Sequence, residues 1–97
     1  MVMVNVTYAP EADDDLFGIV EYIARDKPEA ARNWLRKIRE TCEAIANQPN
    51  MGELRPKFGV PGARSISVGD YVIFFRATEG GIEVSRVIHG NRDMRNI

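Results

Sequence analysis

The residues of this chain best suited to chemistry lie near its C-terminal end. His89 is the one histidine of the chain, and Arg92, Asp93 and Arg95 follow it closely. Histidine exchanges protons near neutral pH, and arginine binds phosphate or carboxylate groups through a planar fork of donors. This C-terminal cluster (His89, Arg92, Asp93 and Arg95) could therefore be an acid-base centre or a cationic contact surface. A structural histidine at a strand end and a solvated tail are the simpler interpretations.

Two other groups look reactive but have structural explanations. Cys42 is the single cysteine and lies on an apolar helical stripe, so we expect a small buried side chain and no disulfide within the chain. The acids 13–15 are consecutive and point about 100° apart on a helix, so they cannot converge on one ion and are expected to stabilise a helix start. No phosphate-binding glycine spacing occurs. The sequence predicts no catalytic set, no metal and no cofactor.

Length and charge limit the classes of protein that remain. The 97 residues predict one domain, 1–97, and the formal net charge of −1 argues against direct nucleic-acid binding. Residues 1–49 hold 6 basic and 9 acidic side chains, whereas 50–97 hold 7 and 5, so any anion site is expected in the second half. No stretch approaches the roughly 20 apolar residues that span a bilayer. We expect a cytoplasmic protein with no membrane partner.

The hydrophobic periodicity predicts the elements that position these residues. Alternation at 2–8 predicts a strand, and apolar stripes after Pro10 and Pro28 predict two helices that end near residues 25 and 47. Residues 47–62 hold three prolines and three glycines and are expected to form a loop. Three more strands follow, at 64–68, 71–77 and 82–89. The expected fold class is α+β: an N-terminal strand, an antiparallel helical hairpin and a three-stranded antiparallel meander, with the helices on one face of the sheet.

An uninterrupted register decides which side chains of the meander face the helices. It sets residue 75 opposite 84 and residue 73 opposite 86. Arg64 and Arg86 then lie on the helix-covered face, where a buried guanidinium must be paired. We expect structural roles for both arginines, with a carboxylate such as that of Glu21 or Glu40 meeting Arg86.

The opposite face of the meander is expected to be mixed. It carries Val72, Phe74 and Val87, an apolar strip with no element of the chain to cover it, beside a cross-strand pair of Arg76 and Glu83. His89 is expected on the same face. An uncovered apolar strip in so short a chain predicts that a partner protein covers it.

Several segments together resemble the toxins of the ParE/RelE superfamily of type II toxin-antitoxin modules, and the ParE branch in particular. They are D-L-F-G-I-V-E-Y-I-A at 15–24, Pro28 to Ala31, N-Q-P-N-M-G-E-L-R at 47–55, G-x-R at 62–64, G-x-Y at 69–71 and R-V-I-H-G-N-R-D at 86–93. The resemblance covers nearly the whole chain and implies the RelE/ParE-like fold.

The resemblance also implies a function. A ParE-like toxin inhibits DNA gyrase by binding and is neutralised by a ParD-like antitoxin encoded beside it. On this hypothesis the C-terminal cluster supplies the target contacts and the apolar strip supplies the antitoxin contacts.

Two alternatives to a gyrase inhibitor remain. One is a RelE-like ribosome-dependent mRNA endoribonuclease, and the other is a member of the superfamily that binds antitoxin without being toxic. RelE-like sequences carry cations where this chain has Ser65, Ser67 and Val72, and no tyrosine follows Tyr71 here. Since metal-free RNA cleavage needs cations at the developing phosphorane charge, the sequence favours inhibition by binding over catalysis.

Overall fold

A computed structural model of the chain describes residues 4–55 and 62–90. Within these residues the chain forms two helices and five strands. In chain order they are β1 (Asn5–Tyr8), α1 (Pro10–Ala24), α2 (Pro28–Asn47), β2 (Glu53–Leu54), β3 (Arg64–Val68), β4 (Tyr71–Thr78) and β5 (Gly81–His89).

The strands form one mixed sheet in the order β1-β5-β4-β3-β2. The predicted α+β fold is confirmed, and the meander β3-β4-β5 lies at its centre. β1 joins the far edge of the meander by pairing parallel to β5, and Gly81 lets the two backbones approach closely at Asn5. β2 lies inside the predicted loop and pairs antiparallel with β3. Two residues are too few to show an alternating pattern, so β2 could not be predicted from periodicity.

One face of the sheet carries the main hydrophobic core beneath the two helices. Each element contributes buried apolar side chains that follow its predicted stripe. They are Ala12 and Leu16 from α1, Ile38, Cys42, Ile45 and Ala46 from α2, and Ile73, Phe75, Ile82, Val84 and Val87 from the sheet. Cys42 is fully buried, as predicted.

A β-bulge in β5 changes the predicted register. Phe75 pairs with Val84, as expected, but Phe74 pairs with Arg86, so that Ser85 is the extra residue. The Ser85 hydroxyl donates a hydrogen bond to the carbonyl of Phe74, 3.1 Å away, beside the irregularity. Beyond the bulge every side chain of β5 faces opposite to the prediction.

The bulge corrects the predicted positions of both Arg86 and Val87. Residue 73 lies opposite Val87 and not opposite Arg86, and Val87 belongs to the helix-covered core. A helix carboxylate meets Arg86, as predicted, but it belongs to Asp15 and not to Glu21 or Glu40. The Arg86 side chain is 47% exposed, so its predicted burial was wrong. The reason is energetic, because one extra residue in the strand replaces a charged side chain in the core with an apolar one.

The structure also contains a pairing contact for Arg64 and the cross-strand pair predicted for Arg76 and Glu83. The half-buried Arg64 donates from Nη1 to the carbonyl of Gly52 at 3.2 Å, which is the structural pairing expected of it. Arg76 and Glu83 form the predicted cross-strand pair, with Nε and Oε1 2.9 Å apart.

The prediction of an uncovered apolar strip was wrong. Val72 and Phe74 do share the face away from the helices, but Ile88 joins them there in place of Val87. All three side chains are buried, as is Val87 on the opposite face. Contact between an antitoxin and Val72, Phe74 or Val87 stays a prediction.

Candidate partner-binding groove

A groove lies between α1 and the C-terminal half of β5. β1 accompanies β5 only as far as the pairing of Tyr8 with Val84, and beyond that point α1 runs beside the strand in its place. The groove has a volume of about 650 Å³. Its walls include Asp14, Asp15, Gly18 and Tyr22 from α1 and Val87 and His89 from β5.

Asp15 joins the two walls of the groove. Its Oδ2 accepts a hydrogen bond from Nε of Arg86 at 2.7 Å and another from the backbone N–H of Val87 at 3.0 Å. Its Oδ1 accepts a third from Nη2 of Arg86 at 3.1 Å. The carboxylate therefore gives the Val87 N–H a partner at a point in the strand where β1 has ended. Asp15 was expected only to stabilise the start of a helix.

Gly18 leaves the middle of the groove open. It lies inside α1, and a Cβ atom added to it would have no neighbour within 4 Å among residues 4–55 and 62–90. Glycine is among the least favourable residues in a helix interior, and no contact within the described chain requires one here. A glycine within an otherwise amphipathic helix was visible in the sequence, and it is the signal that could have indicated the groove.

The outer surface of α1 is acidic and aromatic. Residues 10–24 contain five carboxylates and no lysine or arginine. Two aromatic side chains stand among them and face solvent, Phe17 at 69% exposure and Tyr22 at 72%. Tyr22 stands in the groove wall, and an exposed aromatic side chain there is typical of a surface that binds another molecule.

An aromatic row closes the end of the groove nearest the strand terminus. The ring of Tyr71 meets that of His89 edge-on at 5.2 Å and that of Trp34 at 5.0 Å. His89 therefore lies on the helix side of the sheet and not on the predicted face, which is a second consequence of the bulge. The half-buried ring packed against Tyr71 agrees with a structural role for this histidine.

The other members of the C-terminal cluster, Arg92, Asp93 and Arg95, lie outside the described residues. His89 is the one member of the cluster among the described residues, and it lies in the groove wall. The groove residues Asp14, Gly18 and Tyr22 were not among the predicted site residues.

The described residues offer little support for a metal or redox site. Within 4–55 and 62–90 no three His, Cys, Asp or Glu side chains come together in a way that would hold a metal ion. Burial raises the pKa of the Cys42 thiol, and burial together with the neighbouring Cys42 raises that of the Tyr8 hydroxyl. Both groups are therefore neutral at physiological pH and unsuited to nucleophilic chemistry. In the same part of the chain, neither helix has the length and apolar character to cross a bilayer.

Two solved structures have folds similar to this one. A chain of the chromosomal ParDE toxin-antitoxin system from P. aeruginosa superposes with a TM-score of 0.72 over 92% of this chain and 98% of that one, at 24% sequence identity. A chain of the RelB-RelE antitoxin-toxin complex from Methanococcus jannaschii gives 0.50 over 86% and 88%, at 22% identity. These likenesses define the RelE/ParE-like fold.

Sequence comparison identifies the family within that fold. Toxin ParE1 of Mycobacterium tuberculosis, in strains CDC 1551 / Oshkosh and H37Rv, is 35% identical over 69 residues, which are 69% of each chain. The family described as "ParE toxin of type II toxin-antitoxin system, parDE" matches residues 6–94. The chain belongs to this family of ParE toxins.

Proposed function

We propose that this protein is a cytoplasmic toxin that inhibits DNA gyrase by binding it, and that a ParD-like antitoxin encoded beside it neutralises the toxin. Membership of the ParE family, whose description names parDE, carries the proposal. Both solved neighbours come from toxin-antitoxin systems, which further supports an antitoxin as partner.

The residue types at three positions favour inhibition over RNA cleavage. Ser65, Ser67 and Val72 stand where the resemblance to RelE-like sequences would require cations. Ser65 is buried, with its hydroxyl 2.8 Å from Nε of Arg55, and Val72 is buried among apolar side chains. None of the three can supply the positive charge that stabilises a phosphorane.

The experiment is a pair of assays on the same purified protein. One follows supercoiling of relaxed plasmid by purified gyrase, and the other follows messenger cleavage on translating ribosomes. We expect supercoiling to fail at toxin concentrations that leave the messenger intact. Cleaved messenger with unaffected gyrase would replace this proposal with the ribonuclease, and no effect in either assay would indicate a member that binds antitoxin only.

We also propose that the C-terminal cluster contacts the target, with Arg92 more important than His89. The acidic surplus of the chain lies in residues 1–49, so an anionic gyrase-DNA surface would be attracted to the arginine-rich second half. Growth arrest without antitoxin should be lost in Arg92→Ala and kept in His89→Gln, with folding of both variants verified by circular dichroism. If the His89→Gln variant no longer arrests growth and the parent protein cleaves messenger, the result would instead indicate acid-base catalysis.

A further inference from the structure

We propose that the groove beside α1 receives a positively charged, amphipathic segment of the antitoxin. In this arrangement an apolar side chain of the segment lies over Gly18, and a lysine or arginine of the segment lies near Asp14 and Tyr22. The inference rests on the proposed antitoxin partner and adds the place of binding and the chemistry of the bound segment.

The empty space at Gly18 is the first argument. Asp14, Gly18 and Tyr22 are spaced four residues apart and form one row along the helix at the groove. A larger residue at the middle of this row would favour the helix and would meet no described neighbour within 4 Å of its Cβ. Close approach by another molecule explains why the position is glycine.

The charge of α1 is the second argument, and it selects the kind of partner. Of the five carboxylates of α1, Asp15 is paired with Arg86, and Glu21 lies 3.9 Å from Nη2 of Arg25. The Asp14 carboxylate forms no hydrogen bond or ion pair with any residue in 4–55 or 62–90, yet Asp14 stands in the groove wall. A groove with an acidic wall attracts a cationic segment and repels an acidic one.

An exposed aromatic side chain supplies the third argument. Tyr22 stands in the groove wall and is 72% exposed, so its ring face can receive an arginine or the stem of a lysine. Aromatic side chains of this kind commonly carry much of the binding energy of an interface, while charges at its rim set the choice of partner.

The test measures affinity between the full-length toxin and the full-length product of the adjacent gene by calorimetry at low and high salt. Gly18→Gln should weaken binding by at least about tenfold because its side chain fills the groove. Gly18→Ala should raise the thermal midpoint by a few degrees through helix propensity and weaken binding less. A variant that is more stable but binds less tightly cannot owe the loss to misfolding.

Asp14→Asn tests the charge. We expect a loss of about two- to fivefold in affinity at low salt, shrinking at high salt, as for an exposed ion pair. Asp13→Asn is the matched control. It removes one negative charge from the neighbouring residue, whose side chain does not line the groove. Its affinity should stay within about twofold of the parent.

The outcomes separate this inference from the proposed function. If the parent protein does not bind the adjacent gene product, the proposed antitoxin partner is wrong. If the parent binds and Gly18→Gln binds equally well, the antitoxin lies elsewhere and the groove inference is refuted. It is also refuted if Gly18→Gln keeps antitoxin affinity but no longer inhibits gyrase, since the groove would then belong to the target. Equal losses in Asp13→Asn and Asp14→Asn would refute the cation beside Asp14.

Discussion

Replacing Asp15 by alanine should damage the fold more than removing Arg86, the residue with which it forms an ion pair. Asp15 is only 16% exposed and accepts hydrogen bonds from two different groups, the Arg86 guanidinium and the Val87 N–H. Arg86 is 47% exposed. Arg86→Met removes only the ion pair and leaves the Asp15 carboxylate bound to the Val87 N–H. Asp15→Ala removes both the ion pair and the acceptor of that N–H.

The magnitudes follow from these exposures. A pair with one half-exposed partner contributes about 0.5–1 kcal/mol to the free energy of unfolding. Loss of the acceptor of this partly buried N–H costs about 1–2 kcal/mol in addition. We expect Asp15→Ala to lower the free energy of unfolding by about 1.5–3 kcal/mol, or roughly 6–24 °C in thermal midpoint for a domain of this size. Arg86→Met should cost no more than about 1 kcal/mol.

Urea denaturation of both single variants and of the double variant gives the comparison and the coupling energy between the two side chains. Amide hydrogen exchange at Val87 gives a local check, since protection of its N–H should fall in Asp15→Ala and persist in Arg86→Met. An Arg86→Met variant at least as unstable as Asp15→Ala would refute the view that the carboxylate chiefly serves the strand. Unchanged protection at Val87 in Asp15→Ala would refute it independently.

Three further predictions concern the sheet edge and the buried titratable groups. Gly81→Ala should lower the free energy of unfolding, measured by urea denaturation, by at least about 2 kcal/mol, because the new Cβ would collide with the Asn5 carbonyl. Gly18→Ala is the control, since its Cβ meets no described neighbour, and equal stabilities of the two variants would contradict the prediction. The Cys42 thiol, whose pKa is raised by burial, should react with a disulfide reagent at mildly alkaline pH only as fast as the protein unfolds, and rapid labelling of the folded chain would disprove its burial in solution. The pKa values of Cys42 and Tyr8 are both raised in the folded state, so the free energy of unfolding should stay constant below their unfolded values of about 8.5 and 10 and should fall as the pH rises through them. A thermal midpoint that does not fall above pH 8 in the parent would count against this. So would a fall between pH 8 and 10 that is as large in Cys42→Ala as in the parent.

The parts of this fold that could be predicted from the sequence are those set by nearby residues. The stripes after Pro10 and Pro28 define α1 and α2 because each helix satisfies its own backbone and needs only one apolar face. The turn at Gly69 and Asp70 likewise fixes the pairing of β3 with β4, since a tight hairpin determines its own register.

The bulge in β5 could not be predicted, because the alternation of that strand permits two registers. Val87 and Ile88 are adjacent and both apolar, so either can face the core. The choice depends on whether the energy of burying Arg86 exceeds that of distorting the strand, and on whether a carboxylate from another layer can meet the guanidinium outside the core. Asp15 is 71 residues away along the chain, and its contact with Arg86 has no local signature in the sequence.

The candidate groove depended on the same kind of long-range information. Its walls are two elements that meet only because β1 stops at Tyr8 and α1 continues beside β5. Gly18 and Tyr22 were visible as residue types, but their common direction toward β5 follows from packing and not from periodicity alone. The C-terminal cluster was predicted from residue type, and only His89 of it lies among the described residues.

The parallel pairing of β1 with β5 joins the first described strand to the last described strand. During synthesis β1 and α1 are made before β5, so β1 has no described strand to pair with until β5 has been synthesised. The groove, with α1 as one wall and β5 as the other, cannot form in a nascent chain before that point. A protein that recognises this groove therefore binds only chains in which β5 has already been made.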